Sequence, residues 1–116
     1  MAGNKILILG LDGATFDLLQ GWIDEGRLPT LARLQCEGAS GPLESTFPPI
    51  SAAAWSSFAT GVNPGKHGVV DFYYPRPGEY AVNTMSAAAR TALPLWSLLG
   101  EAGIRTGTVG LPGTYP

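Results

Sequence analysis

The apolar positions of this chain fall into two spacings, and each predicts its own kind of element. Lys5–Leu9 (KILIL) is an unbroken apolar run, the pattern of a parallel strand buried on both faces, and Ile104–Val109 reads as a second central strand. Phe16–Glu25 instead places Leu18, Leu19, Trp22 and Ile23 on one face of an amphipathic helix that Gly26 stops. Pro29 opens a shorter helix through about Cys36, with Leu31 and Leu34 inward and Gly38 closing it. Ala39–Glu44 predicts a short strand, and Pro42 within it argues for an edge. A third helix starts at Ser51 and ends at Gly61, with Ala52, Trp55, Phe58 and Ala59 as its apolar face. Tyr80–Asn83 suggests another short strand. Pro94 then fits the first position of a helix carrying Leu95, Leu98, Leu99 and Ala102, stopped by Gly103. Strand, helices, strand, helix and strand in succession predict an α/β fold, a mostly parallel sheet with flanking helices.

The chemistry sits at two junctions in that order. The strand Lys5–Leu9 delivers Gly10-Leu11-Asp12-Gly13 at its carboxyl end, where ligands bind in open α/β sheets. Asp12 is then a carboxylate at the expected position of a site, though a turn aspartate there is commonplace. The second junction is Thr46-Phe47-Pro48-Pro49, an extended approach into the helix at Ser51. Ser51 is expected to be the N-cap of that helix, facing its unpaired N–H groups. The same field favours phosphate and stabilises an alkoxide, so a hydroxyl there is a candidate nucleophile as well as a cap.

Composition narrows the picture. The 116 residues suffice for one domain with a modest core, and 45% hydrophobic against 14% charged residues is globular and poor in charge. A net charge of −2 gives no general attraction to nucleic acid or to an anionic membrane, so phosphate recognition must be local. Cys36 is the single cysteine, which excludes an internal disulfide; its setting predicts a buried structural thiol. The opening apolar run is too short for a signal or membrane segment, so no membrane partner and a cytoplasmic location are expected. Gly61–Gly68 contains Gly65-Lys66 but is not a P-loop. Three residues separate its glycines instead of four, His67 follows the lysine, and a helix precedes it. Asp71–Gly78 is aromatic and proline-rich, more a flap than a core element, suited to stacking a base or lining an apolar leaving-group pocket.

Gly10-Leu11-Asp12-Gly13, the run Ser51-Ala-Ala-Ala-Trp-Ser-Ser-Phe-Ala-Thr-Gly, and Asn63-Pro64-Gly65-Lys66-His67-Gly68 together resemble the amino-terminal motifs of the alkaline phosphatase superfamily. The resemblance is to its type I phosphodiesterase/nucleotide pyrophosphatase-like phosphohydrolases. Leu95-Trp96-Ser97-Leu98-Leu99-Gly100-Glu101-Ala102-Gly103 and Pro112-Gly113-Thr114-Tyr115-Pro116 extend it over nearly the whole chain. It implies that residues 1–116 form the amino-terminal part of an alkaline phosphatase-like domain, incomplete by itself. It further implies two divalent metal ions, Zn2+ or else Mn2+, clamping a phosphoryl group during in-line displacement. Carried over by position, Asp12 is a metal ligand, Ser51 is both nucleophile and metal ligand, and the backbone N–H of Ala52 donates to phosphoryl oxygens.

The implied reaction is hydrolysis of a small-molecule phosphate mono- or diester through a seryl-phosphate, with this chain supplying the nucleophile half of the site. A phosphomutase of the same superfamily, or a non-catalytic α/β fragment binding anions or a partner chain, are the alternatives. Serine stands where the nucleotide pyrophosphatase branch usually has threonine, and Phe72 stands where that branch has a phosphate-contacting asparagine. Sulfatase relatives fit less well still, because Ser51 is followed by Ala52-Ala53-Ala54-Trp55 rather than x-Pro-x-Arg. His67, the single histidine, is expected to be a structural turn residue, and the remaining ligands are expected outside this chain. Alone, the chain is expected to be inert and to self-associate or depend on a complementary chain.

Overall fold

The computed structural model describes residues 5–76 and 78–115. It divides into two compact units, Met1–Leu43 and Glu44–Pro116. In element order it contains α1 (Phe16–Asp24), α2 (Pro29–Glu37), α3 (Ser51–Thr60), α4 (Pro64–His67), β1 (Tyr73–Pro75), β2 (Val82–Thr84), a 3₁₀ turn (Ala87–Ala89) and α5 (Leu95–Glu101). Helices and a strand pair make it a small α/β protein.

In the first unit, α1 starts at Thr15, whose hydroxyl accepts the Asp17 N–H at 3.3 Å. Gly26, at φ +73°, reverses the chain after it. The two helices pack together, and Gln35 Nε2 donates to Gln20 Oε1 at 3.3 Å between them. Ile23 is the one buried side chain of α1, and α2 buries none. Leu34 is therefore half exposed rather than inward, and Cys36 is exposed rather than a buried thiol. With a face of mixed polarity (PTLARLQCE), α2 lies on α1 without fully enclosing any of its side chains.

The second unit holds most of the core: Ala52, Ala53, Ser56 and Ala59 of α3, Pro64 and His67 of α4, and Val69. The buried face of α3 is thus its small face. Phe58, expected inward, is exposed, because α4 packs so closely on α3 that only small side chains fit between them. Within the turn-rich stretch after Gly61, Asn63 caps α4 by accepting the Lys66 N–H at 3.1 Å. Strands β1 and β2 form an antiparallel hairpin in the register Tyr73↔Thr84, Tyr74↔Asn83, Pro75↔Val82. The chain's last turn is pinned to this unit by Ala87 N–H to Tyr115 O at 2.9 Å and Arg90 Nη1–H to Gly113 O at 3.2 Å.

Lys5–Leu9 and Ile104–Val109, expected as strands of a parallel sheet, run without assigned secondary structure, as does 39–44, expected as an edge strand. Ile6, Leu7, Ile8 and Leu9 are 85, 82, 55 and 79% exposed, and Val109 is fully exposed. A strand of this type is defined by neighbours that take up its N–H and C=O groups, and neither segment has a hydrogen-bonded neighbour strand. Among the described residues the hairpin is the whole of the sheet. No described helix is long and apolar enough to cross a membrane.

Candidate functional site

The approach to α3 runs through a cis Phe47–Pro48 peptide, and Thr46 Oγ1 donates to Pro48 O at 2.9 Å. Ile50 has the extended conformation of a cap (φ −115°, ψ 137°), and its carbonyl accepts the Ala54 N–H at 2.9 Å. Ser51 is accordingly the first helical residue and not the N-cap. The reason is local: Ile50 already makes the first intrahelical bond, so the helix begins one residue earlier than a serine-capping pattern suggests. An isoleucine side chain cannot accept a hydrogen bond, so the amides of the first turn meet no cap side chain at this position. The N–H groups of Ser51, Ala52 and Ala53 belong to that turn, and Ala52 and Ala53 are fully buried. Ser51 itself is half-buried.

His67 gives the region its firmest geometry. Its Nε2 lies 2.9 Å from Ser57 Oγ, a pairing that on distance alone resembles a nucleophile and its base. The other nitrogen decides otherwise. Nδ1 accepts the Val69 N–H at 3.1 Å, so Nδ1 carries the lone pair and Nε2 carries the proton. Nε2 donates to Ser57 and cannot take its proton; Ser57 is not activated. Burial lowers the His67 pKa below its ordinary 6.5, the nearby Arg90 charge lowers it further, and a hydrogen bond with the Ala53 backbone partly offsets both. His67 is thus a neutral, buried residue with both ring nitrogens used, as a structural role requires.

Beside α4, Gly68, Val69, Val70, Asp71, Tyr74, Met85 and Ala89 line a mostly apolar cleft of about 130 Å³. Phe72 follows it, partly exposed, with its N–H donated to Asp71 Oδ1 at 2.6 Å and its carbonyl accepting the Met85 N–H at 2.7 Å. The side chain at this position therefore offers an aromatic face and no donor. Residues 71–75 of the stretch read from the sequence as a flap supply β1 of the hairpin together with this cleft wall.

Asp12 lies in the first unit, in the turn Leu11–Ala14 closed by Ala14 N–H to Leu11 O at 3.4 Å, and Gly13 takes φ +68°. Ser51 lies in the second unit. The described residues contain no group of three or more His, Cys, Asp or Glu side chains able to hold a metal ion. An Asp12 carboxylate and a Ser51 hydroxyl are oxygen donors of a suitable type, but together they fall short of the roughly four ligands that a single zinc takes. They do not by themselves fit a two-metal centre. Sequence reasoning missed the Val69–His67–Ser57 arrangement, because nothing in the run Pro64-Gly65-Lys66-His67 indicates which helix its histidine will meet.

The profile of the type I phosphodiesterase / nucleotide pyrophosphatase family matches residues 6–116, and the chain belongs to that family. Its members are hydrolases of phosphate-ester substrates and are generally metal-dependent. No curated protein and no solved structure matches the chain.

Proposed function

We propose that, within this phosphodiesterase family, the chain supplies the nucleophile half of the site, with Ser51 as the attacking residue. The observation that carries this reading is the place of Ser51 as the first residue of α3, at the amide end of that helix. Those amides and the helix dipole favour a phosphoryl group at that end, and the Ala52 N–H is the donor assigned to its oxygens. In the first step a bond forms between Ser51 Oγ and phosphorus while the bond from phosphorus to the leaving oxygen breaks. The leaving alkoxide departs as the alcohol once protonated. In the second step water attacks the seryl-phosphate, releases phosphate or a monoester, and restores the serine. Hydrolysis thus needs one water and returns the enzyme unchanged.

Two divalent ions, zinc being the first choice, belong to the same proposal, with Asp12 and Ser51 among their ligands; bound, they would lower the pKa of the serine hydroxyl and offset charge on the phosphoryl oxygens. Because the donors present fall short of such a centre, the remaining ligands come from residues other than those described. A parallel sheet of the alkaline phosphatase type, built on Lys5–Leu9 and Ile104–Val109, is part of this reading, supported by their apolar sequences. So is a cytoplasmic location, which one cysteine without an internal partner suits. Phe72, in place of a phosphate-contacting amide, gives no hydrogen bond to phosphate, so in this reading that contact falls to another donor, while its aromatic face suits a base or an apolar leaving group.

The test is turnover of a chromogenic p-nitrophenyl phosphodiester by protein carrying this chain, with zinc or manganese added. Ser51→Ala is expected to lower kcat by several orders of magnitude, and Ser51→Thr to retain part of it. Turnover within a few fold of the parent in Ser51→Ala overturns the nucleophile assignment. Transfer of phosphate to an added alcohol in preference to water would instead mark a phosphomutase.

A further inference from the structure

Hydrogen bonds from three parts of the second unit converge on His67. The ring reaches α3 through Ser57 Oγ at 2.9 Å, and it also bonds the Ala53 backbone. It accepts from the loop after α4 through the Val69 N–H at 3.1 Å. Its own carbonyl accepts the Thr91 N–H at 3.1 Å, and Thr91 Oγ1 donates to the preceding carbonyl, Lys66 O, at 2.8 Å. The residue is fully buried, so no water competes for any of these bonds. An imidazole in one tautomer presents a donor on one edge and an acceptor on the other. Here the donor edge meets α3 and the acceptor edge meets the loop. No titratable side chain faces it from α3 (SAAAWSSFAT) or from Gly68-Val69-Val70. From the segment after the 3₁₀ turn the charge that acts on the ring is Arg90, and Lys66 on its own helix is exposed.

We propose that His67 is a positioning residue for phosphoryl transfer: it seats α3 against α4 and so fixes Ser51 at the first position of that helix. The inference rests on the reading of Ser51 as the nucleophile. The two groups the ring holds on α3, Ala53 and Ser57, lie two and six residues along from Ser51 on one rigid helix. A shift of α3 on its bed therefore moves Ser51 with it, and misplacement of a nucleophile by about 1 Å costs on the order of a hundredfold in rate.

Two variants and three readouts test this. Ser57→Ala removes the acceptor on α3 without touching the ring, and His67→Gln leaves one donor and one acceptor that cannot span both edges. Amide hydrogen exchange at 54–57 is expected to quicken about tenfold in Ser57→Ala and more in His67→Gln, while exchange in α5 stays as in the parent. Nitrogen chemical shifts of the parent ring are expected to show the Nε2–H tautomer at neutral pH. In turnover of the p-nitrophenyl diester, both variants are expected to lower kcat with little change in KM. Unchanged exchange at 54–57 in both variants, a uniform rise across the unit, or an Nδ1–H ring overturns the proposal. If α3 loosens as described while Ser51→Ala keeps full turnover, the seating of the helix stands and the nucleophile assignment falls.

Discussion

At the scale of single residues, burial and hydrogen bonding make two side chains in the second unit unusual. Ser56 is fully buried on the α3 face that meets α4, and its hydroxyl has no hydrogen-bond partner. A buried hydroxyl without a partner loses its hydration for no return, a cost of about 1–3 kcal/mol. Ser56→Ala is therefore expected to raise stability, by about 1 kcal/mol, as a higher midpoint in urea unfolding. A lower midpoint would mean that the hydroxyl is bonded after all. His67 works in the opposite direction, because its bonds require the neutral ring. Its folded pKa lies below the 6.5 of the unfolded chain, so in the window beneath 6.5 the unfolded state binds more protons. The stability it contributes is complete above 6.5 and is lost as pH falls through the lowered folded value. Urea midpoints of the parent are expected to fall between pH 7 and pH 5, and those of His67→Gln to fall less over the same range.

At the scale of elements, helix ends show what could be read from the sequence. α3 ends at Gly61, which sits at φ +69° with open space where a Cβ would go, so its substitution tests backbone conformation alone. Gly61→Ala is expected to cost about 1 kcal/mol, the penalty of a left-handed alanine, visible as a lower melting temperature. A neutral result would show that the helix end can rearrange. The stops at Gly26 and Gly103, both left-handed, were legible for the same reason: punctuation by glycine depends on two dihedral angles and little else. Helices α1, α2, α3 and α5 were legible within a residue or two. What the sequence did not disclose depends on neighbours distant in the chain. The outward Phe58, the exposed Cys36 and the histidine seat of α3 each follow from packing against another element, and the cap at Ile50 from the first intrahelical bond its carbonyl accepts. The pairing of the expected parallel strands is of the same kind. Apolar content marks Lys5–Leu9 as strand-like, but a ladder needs a second backbone in register, and local pattern cannot supply one. The candidate residues Asp12 and Ser51 were picked out by motif and local turn chemistry, whereas their mutual geometry lies beyond what either unit determines alone.

At the scale of the whole molecule, the balance between covered and uncovered apolar surface governs behaviour in solution. Each unit encloses few large side chains among the described residues: Ile23 in the first, Val69 and His67 in the second, with small residues making up most of the rest. Against that, Ile6–Leu9 in the first unit and Ile104, Val109 and Tyr80 in the second stand open to solvent. Extended apolar backbone with unpaired N–H and C=O groups is a template for pairing with another chain, and a net charge of −2 opposes association only weakly. The purified chain is therefore expected to self-associate, with an average mass in sedimentation velocity that falls across a dilution series. Leu7→Lys and Val109→Lys place a charge within each exposed segment. Each moves the net charge one unit closer to neutrality, which by itself would favour association. A shift toward monomer in either variant can then come only from the local block on pairing, and that shift is the expected result. A parent that sediments as a monomer at every concentration would show that these segments are tolerated in water and that association plays no part in covering them.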